Sequence, residues 1–188
     1  LFLFSLLWMS RVFPAPNTNY DFYIQAYCGI GDLSTWTGPF SFTTLCLAYS
    51  TPFTEDFESA GSLPSCWSMS GGENWLFNIT GPNHVGNAGT LTGSTSSGNY
   101  YSVVDASGYS GAGGSSLLTS PSIDLSSLSV PALYFYLISD DEGTGYSSTL
   151  VVEANGGSTW DTVGIYTGNT SGWELKIIDL SAYSGTIQ

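Results

Sequence analysis

The sequence predicts an all-β protein with the architecture of a β-sandwich or jelly roll. Short runs of alternating or continuous apolar residues recur along the chain, and turns rich in glycine and serine separate them. No segment of ten residues combines a helical period with helix-capping residues. Many short strands joined by such turns, without helices, are typical of sandwiches and jelly rolls.

The composition allows a folded core and restricts the partners. Of 188 residues, 42% are hydrophobic, 15% are aromatic and 9% are charged, which is not the composition of a disordered chain. Fifteen carboxylates stand against two cations, Arg11 and Lys176, for a formal net charge of −13. This balance argues against nucleic acid and anionic membrane surfaces as partners. It permits divalent cations, which hard oxygen ligands bind.

Residues 1–16 differ from the rest of the chain. Leu1 to Met9 is apolar apart from Ser5, yet it falls short of the ~20 residues that span a bilayer, so we expect no direct membrane insertion. It resembles the apolar part of a secretory signal but has no initiating Met or basic leader. We interpret residues 1–16 as an apolar leader or a non-native segment.

Two strands are predicted between residues 17 and 45. Alternation over residues 20–28 predicts one strand with Tyr20, Ile24 and Cys28 on the same face. Glycines around Ile30 interrupt the pattern, and residues 40–44 alternate again as a second strand.

The remainder of the chain is also predicted as strands. Residues 132–138 are apolar on both faces, which predicts a central strand covered on both sides. In the last run, Trp173, Leu175 and Ile177 share one face. The predicted strands are residues 100–104, 117–119, 123–125, 132–138, 149–154, 160–166 and 173–177.

The first part of the chain resembles the end of a fibronectin type III domain. Asn17-Thr18-Asn19-Tyr20 before a strand looks like that family's tyrosine corner, with Tyr20 as the corner residue. Residues 34–44 look like its closing strand. The resemblance implies that residues 17–45 are the last two strands of a partial domain.

The part from Cys46 to Tyr183 resembles the MAM family and the cleaved-adhesin domains of Bacteroidetes-type secreted proteins. The resemblance implies a MAM-like jelly-roll β-sandwich over residues 46–188, truncated at its C-terminus because family members continue into further strands. The matching marks are Asp56-Phe57-Glu58, Pro64-Ser65-Cys66-Trp67, Trp75, Gly98-Asn99-Tyr100-Tyr101, Leu118-Thr119-Ser120-Pro121, Leu133-Tyr134-Phe135, Leu150-Val151-Val152, Trp173 and Asp179-Leu180-Ser181.

Cys46 and Cys66 are the candidate disulfide. They bracket the acidic run Glu55-Asp56-Phe57-Glu58, and closing a loop of this size in an oxidising compartment contributes about 3 kcal/mol. The alternative is two buried free thiols. Cys28 is left without a predicted partner.

A structural calcium ion is the only metal predicted. Glu58 matches the acidic residue with which the family's first strand begins, where related domains hold an ion. Asp56 lies two positions earlier, so on a strand it points the same way, and Asp105 is a further candidate ligand. The alternative is that these acids are solvated at an edge, and residues 78–98 lack the carboxylate that the family usually shows.

The sequence does not predict a catalytic site. His84 is the only histidine, and no Gly-x-Ser-x-Gly motif occurs. The acidic loop Asp140-Asp141-Glu142 follows a long apolar strand, where it keeps the strand end soluble or binds a cation.

Four aromatic residues in or beside turns are the candidates for stacking on a glycan: Trp75, Tyr109, Tyr146 and Trp160. The alternative is that they belong to the core, as most aromatic residues of a sandwich do. The function expected is a non-catalytic adhesion or interaction module, secreted or at the cell surface, that recognises a protein or glycan surface. The alternative is a carbohydrate-binding module attached to a secreted enzyme.

Overall fold

The computed structural model describes residues 14–78, 100–104, 115–139 and 149–188. Within these ranges every regular element is a β-strand, which confirms the all-β prediction. None of these residues belongs to a helix of the length and apolarity that a membrane span requires. The strands are β1 (Asn19–Ile24), β2 (Tyr27–Gly29), β3 (Asp32–Leu33), β4 (Thr37–Thr43), β5 (Tyr49–Ser50), β6 (Ser68–Gly71), β7 (Trp75–Asn78), β8 (Tyr101–Val104), β9 (Ser116–Thr119), β10 (Ile123–Asp124), β11 (Ala132–Leu137), β12 (Leu150–Asn155), β13 (Trp160–Tyr166), β14 (Glu174–Asp179) and β15 (Thr186–Ile187).

The chain divides into two compact units, Leu1–Leu47 and Ala48–Gln188. In the first unit, β1 pairs antiparallel with β4 and carries an aromatic ladder. The Tyr20 and Phe42 rings stack at 5.8 Å, and the Phe22 and Phe40 rings lie 5.3 Å apart. The backbone N–H of Ala15 donates to the Tyr20 hydroxyl at 2.8 Å, which fixes the entry into β1.

The prediction of one continuous strand over residues 20–28 is wrong. β1 ends at Ile24, and β2 begins at Tyr27 and pairs with β3 instead of β4. Ser34 causes the break, because its hydroxyl accepts from the Ala26 N–H at 2.9 Å and its own N–H donates to the Ala26 carbonyl at 3.0 Å. The Gln25 amide also donates to the Ser34 carbonyl, so these bonds replace the ladder to β4.

The second unit contains the buried core. β6 pairs with β9, β7 with β8, β11 with β14, and β12 with β13, while β10 lies between parallel β5 and antiparallel β15. The predicted strand at residues 160–166 has the bounds of β13, and the other predicted strands of this unit differ from the observed ones by a few residues. One cluster of buried residues forms the core behind β12 and β13; it consists of Leu125, Ala154, Ile178, Leu180 and Ile187, with Ile123, Phe135, Val152, Val163, Tyr166 and Tyr183 packed against them. The side chains of Phe77, Tyr101 and Val103 are also buried.

The prediction that β11 is covered on both sides is wrong. Phe135 faces the core and meets the Tyr166 ring edge-on at 5.6 Å, whereas Tyr134 is 62% exposed and Tyr136 44% exposed. Tyrosine tolerates this position because its ring can pack while its hydroxyl stays in water. On β14 the buried residue is Ile178, and the face shared by Leu175 and Ile177 is the exposed one. The jelly-roll connectivity stays a prediction.

Candidate functional site

The Cys46–Cys66 disulfide is present, as predicted. Cys66 adopts a left-handed backbone conformation with φ of 67°, in a turn where the Trp67 N–H donates to the Pro64 carbonyl at 3.2 Å. Cys28 is a free, exposed thiol. The bridge closes a loop that contains the three acidic residues Glu55, Asp56 and Glu58.

That acidic segment is not a strand, so the alternation argument for Asp56 and Glu58 as neighbouring ligands is wrong. Phe57 has a left-handed φ of 60°, which breaks the extended backbone. Two carboxylates hold this turn from within: Glu55 accepts from the Phe57 N–H at 2.8 Å and Asp56 accepts from the Glu58 N–H at 3.1 Å. Local bonds of this kind are a known alternative to a strand ladder for acidic side chains.

The turn is held in place by a hydrogen bond to Glu58 and by the packing of the Phe57 ring. The Glu58 carboxylate accepts from the Tyr100 N–H at 2.7 Å, directly before β8. The Phe57 ring packs edge-on against Trp67 at 5.5 Å and stacks on Phe77 at 5.7 Å. Phe57 therefore packs into an aromatic cluster of the second unit, and the carboxylates of the acidic segment accept hydrogen bonds from backbone N–H groups.

The candidate calcium ligands are only partly within the described ranges. Within the described ranges, no three His, Cys, Asp or Glu side chains group closely enough to hold a metal ion. Asp105 lies outside those ranges, as do His84 and the Asp140-Asp141-Glu142 loop. Calcium binding stays a prediction.

Burial and hydrogen bonds account for the shifts in pKa. Burial raises the pKa of Tyr101, whose ring lies edge-on to Trp173 at 5.3 Å. The pKa values of Asp124 and Asp179 are lowered by hydrogen bonds from Ser126 and Ser181 respectively. Each of these aspartates accepts the N–H of the residue two positions ahead and so stabilises the turn that follows its strand.

The lone ion pair among the described residues is also local. Lys176 donates to Glu174 at 2.7 Å, which lowers the pKa of that carboxyl, and the same ammonium lies 5.4 Å from the centre of the Tyr166 ring. Lys176 therefore supports the inner side of β14 and adds no positive patch to the surface.

The candidate glycan-stacking residues have different environments. Trp75 is half-buried and its indole nitrogen is inaccessible to solvent. Trp160 is 46% exposed at the start of β13. Tyr109 and Tyr146 lie outside the described residues. Of the two tryptophans, Trp160 has the more open ring.

Trp160 shares one face with residues that the sequence did not single out. The register of β12 and β13 pairs Glu153 with Thr162 and Val151 with Ile165, and all four are exposed. We call these five residues, Val151, Glu153, Trp160, Thr162 and Ile165, the Trp160 face. Alternation indicated which residues of each strand lie together, but the grouping across strands required the register.

The chain is similar in sequence to part of a known protein. The chain is 32% identical over 139 residues to Bacillopeptidase F of Bacillus subtilis (strain 168), a match that spans 71% of this chain and 9% of that protein. The chain therefore corresponds to a small part of the relative's length. No family model and no solved structure matches the chain.

Proposed function

We propose that this chain is a non-catalytic, extracellular interaction module of a longer protein. The observation that carries the proposal is the outer surface of the second unit, where alternate strand residues expose apolar and aromatic side chains. On β11 and β14 these are Tyr134 opposite Ile177 and Tyr136 opposite Leu175. Contiguous exposed apolar surface of this kind is typical of an interaction site.

The extracellular placement is supported by the covalent chemistry. A disulfide persists in oxidising compartments and is rare in reducing ones. The bridge joins Cys46 to Cys66, and Cys66 directly precedes Trp67, whose ring packs against Phe57. The bridge therefore stabilises the scaffold, and secretion or cell-surface display is the setting in which it forms.

The role as an attached module is supported by the relative. The name Bacillopeptidase F denotes a peptidase, and this chain resembles 9% of that protein. A segment of this size, built from β-strand pairs, is suited to positioning or targeting a larger protein. We extend the proposal accordingly: the module accompanies an enzyme or another functional domain in its parent protein.

The domain identities are part of the same proposal. The bond from the Ala15 N–H to the Tyr20 hydroxyl is the contact that a tyrosine corner makes to the backbone a few residues upstream, and it supports the fibronectin type III assignment of residues 17–45. The all-β second unit is compatible with a MAM-like jelly roll.

The proposal is tested with the whole chain, purified without reductant. Labelled protein is applied to a panel of immobilised probes that includes collagen, fibronectin, cellulose and chitin, and casein is offered as a peptidase substrate. We expect saturable binding to at least one probe and no casein hydrolysis. Casein cleavage that copurifies with the chain, or the absence of saturable binding to the whole panel, would contradict the proposal.

A second candidate is the carbohydrate-binding module of an enzyme. The specific observation that favours it is the exposed Trp160 ring beside a carboxylate and a hydroxyl on one sheet face.

A further inference from the structure

We propose that the Trp160 face binds a neutral polysaccharide chain. The inference rests on the proposed role as an extracellular interaction module and identifies the ligand class and the surface that takes it. It concerns the outer side of β12 and β13, whose inner side packs into the core through Val152 and Ala154.

The face is built on a rigid pair of strands. β12 and β13 pair along their full lengths, from Leu150 opposite Tyr166 to Asn155 opposite Trp160. The core behind them includes Ala154, which is 4% exposed. Side chains on such a pair are held in position before a ligand arrives, which reduces the entropy lost on binding.

The residues on this face are arranged by the register and by an irregularity in it. Thr162 lies directly opposite Glu153, and Trp160 lies two residues before Thr162 on the same side of β13. Diagonal neighbours of this kind are within reach of a large aromatic side chain. The register shifts between Val152 and Glu153, so Val163 turns to the core while Thr162 and Ile165 both point outward.

The chemistry of the three polar and aromatic members fits a sugar. The face of a pyranose ring that carries axial C–H groups is apolar and packs on an indole, and its hydroxyls need hydrogen-bond partners. Glu153 is a carboxylate acceptor, and Thr162 both donates and accepts. A flat apolar ring beside such groups is the combination that sugar recognition requires.

The apolar pair at the other end lengthens the face. Val151 is 46% exposed and Ile165 is 61% exposed, directly opposite each other. Trp160 and Ile165 are separated by five positions along β13, which corresponds to about 16 Å of strand. This length matches a short run of linked sugars better than a monosaccharide.

Charge determines which sugars fit. Glu153 carries a negative charge on the face itself, and the formal net charge of the chain is −13. An acidic polysaccharide meets repulsion from both, whereas a neutral chain meets none. The same net charge disfavours a second copy of the chain as the occupant, since two copies repel each other.

The test uses the full chain and neutral oligosaccharides as probes: cellohexaose, laminarihexaose and chitohexaose, titrated by calorimetry, with polygalacturonate as the acidic comparison. We expect binding of at least one neutral probe and none of polygalacturonate. Trp160→Ala weakens that binding about tenfold or more, because it removes the stacking ring. Glu153→Gln keeps an acceptor oxygen and weakens it by a few-fold at most.

Trp36→Ala is the matched control. Trp36 is 56% exposed in the first unit, so its removal deletes an exposed indole of similar accessibility. We expect affinity within about twofold of the parent chain, as for other surface substitutions. Near-UV circular dichroism and a count of one free thiol on unreduced protein confirm that each variant is folded.

Three results would overturn the inference. The first is binding to collagen or fibronectin without binding to any neutral oligosaccharide; the proposed interaction role then survives and the ligand class fails. The second is a loss in Trp36→Ala that equals the loss in Trp160→Ala, which places the site elsewhere. The third is a dimer in solution that Trp160→Ala dissociates, which makes a second copy the occupant. If the chain binds neither collagen nor fibronectin nor any saccharide probe, the proposed interaction role fails as well.

Discussion

The β1–β4 pair and the β12–β13 pair are both antiparallel, are of similar length and alternate apolar with polar residues, yet only one of them has a buried face. All seven residues of β4 are exposed, including Phe40 at 41% and Phe42 at 40%. In β12, Ala154 is 4% exposed and its neighbour Glu153 is exposed. The difference arises because the core of the second unit packs against one side of β12–β13.

Alternation along a strand determines which side chains share a face, because successive residues point to opposite sides. Burial requires a second layer of structure. The aromatic ladder of β1–β4 is therefore held mainly by cross-strand pairs, each of which contributes about 0.2–1 kcal/mol. The inner face of β12–β13 is stabilised by burial, which contributes several times as much per residue.

The contrast between a buried and an exposed face can be measured within β14, where we expect the greatest loss of stability. Ile178 and Ile177 are neighbours on β14, 6% and 58% exposed. We expect Ile178→Ala to lower the free energy of unfolding by about 3–4 kcal/mol through lost burial and the cavity left behind. Ile177→Ala is the matched control and should change it by less than about 0.5 kcal/mol. Urea unfolding measures both, and equal losses would show that Ile178 is no more buried than Ile177.

The bonded and the free cysteines provide a second contrast in stability. Replacing Cys46 and Cys66 together by serine removes the bridge, and we expect a loss of about 3 kcal/mol because the unfolded chain gains freedom. Cys28→Ser is the control and should have little effect, since Cys28 is free and exposed. Thiol titration should find one free thiol in the unreduced parent chain. Three free thiols would refute the bridge.

These features were predictable from the sequence to different degrees. Alternating and continuous apolar patterns identified β8 to β14, whereas β5, β6, β7 and β15 were not predicted. β13 begins and ends at the predicted residues because the run from Trp160 to Tyr166 is rich in aromatic and β-branched residues. Cys46 and Cys66 were paired correctly because they bracket one segment. Both predictions use residue types and spacings that are visible in the sequence itself.

The failures arise from hydrogen bonds that compete with a strand ladder and from packing between strands. The break after Ile24 follows from bonds to Ser34, several residues away. The exposed Tyr134 and Tyr136 follow from which side of β11 meets the core. The acidic segment forms a turn because its carboxylates satisfy neighbouring N–H groups, an option that a strand pattern does not exclude. The Trp160 face could not be predicted because its members come together only through the register between β12 and β13.

A smaller effect tests how tightly the inner face of β12–β13 is packed. A methyl group on Gly164 would lie 2.9 Å from the Cδ1 atom of Ile178 and 3.1 Å from the Tyr166 ring. We expect Gly164→Ala to cost about 1–2 kcal/mol through overpacking. Ile178→Val removes the clashing atom, so the double variant should be less destabilised than the sum of the two single ones. Strict additivity in urea unfolding would show that the two side chains do not meet.

The smallest effect is a pH dependence at the edge of the same inner face. Burial and the neighbouring Asp161, which accepts the Tyr183 hydroxyl proton at 3.2 Å, raise the pKa of Tyr183 above 10.0. Since the folded pKa is the higher one, this stabilisation is present below pH 10 and is lost as the pH rises from about 10 through the folded pKa. Tyr183→Phe lacks the ionisable group, so its thermal unfolding midpoint should fall less steeply than that of the parent chain above pH 10. Asp161→Asn should give an intermediate slope, because burial still acts on Tyr183 there. Parallel curves for the parent chain and Tyr183→Phe would show that this hydroxyl is as solvated in the folded chain as in the unfolded one, and the packing of the inner face would then end before Tyr183.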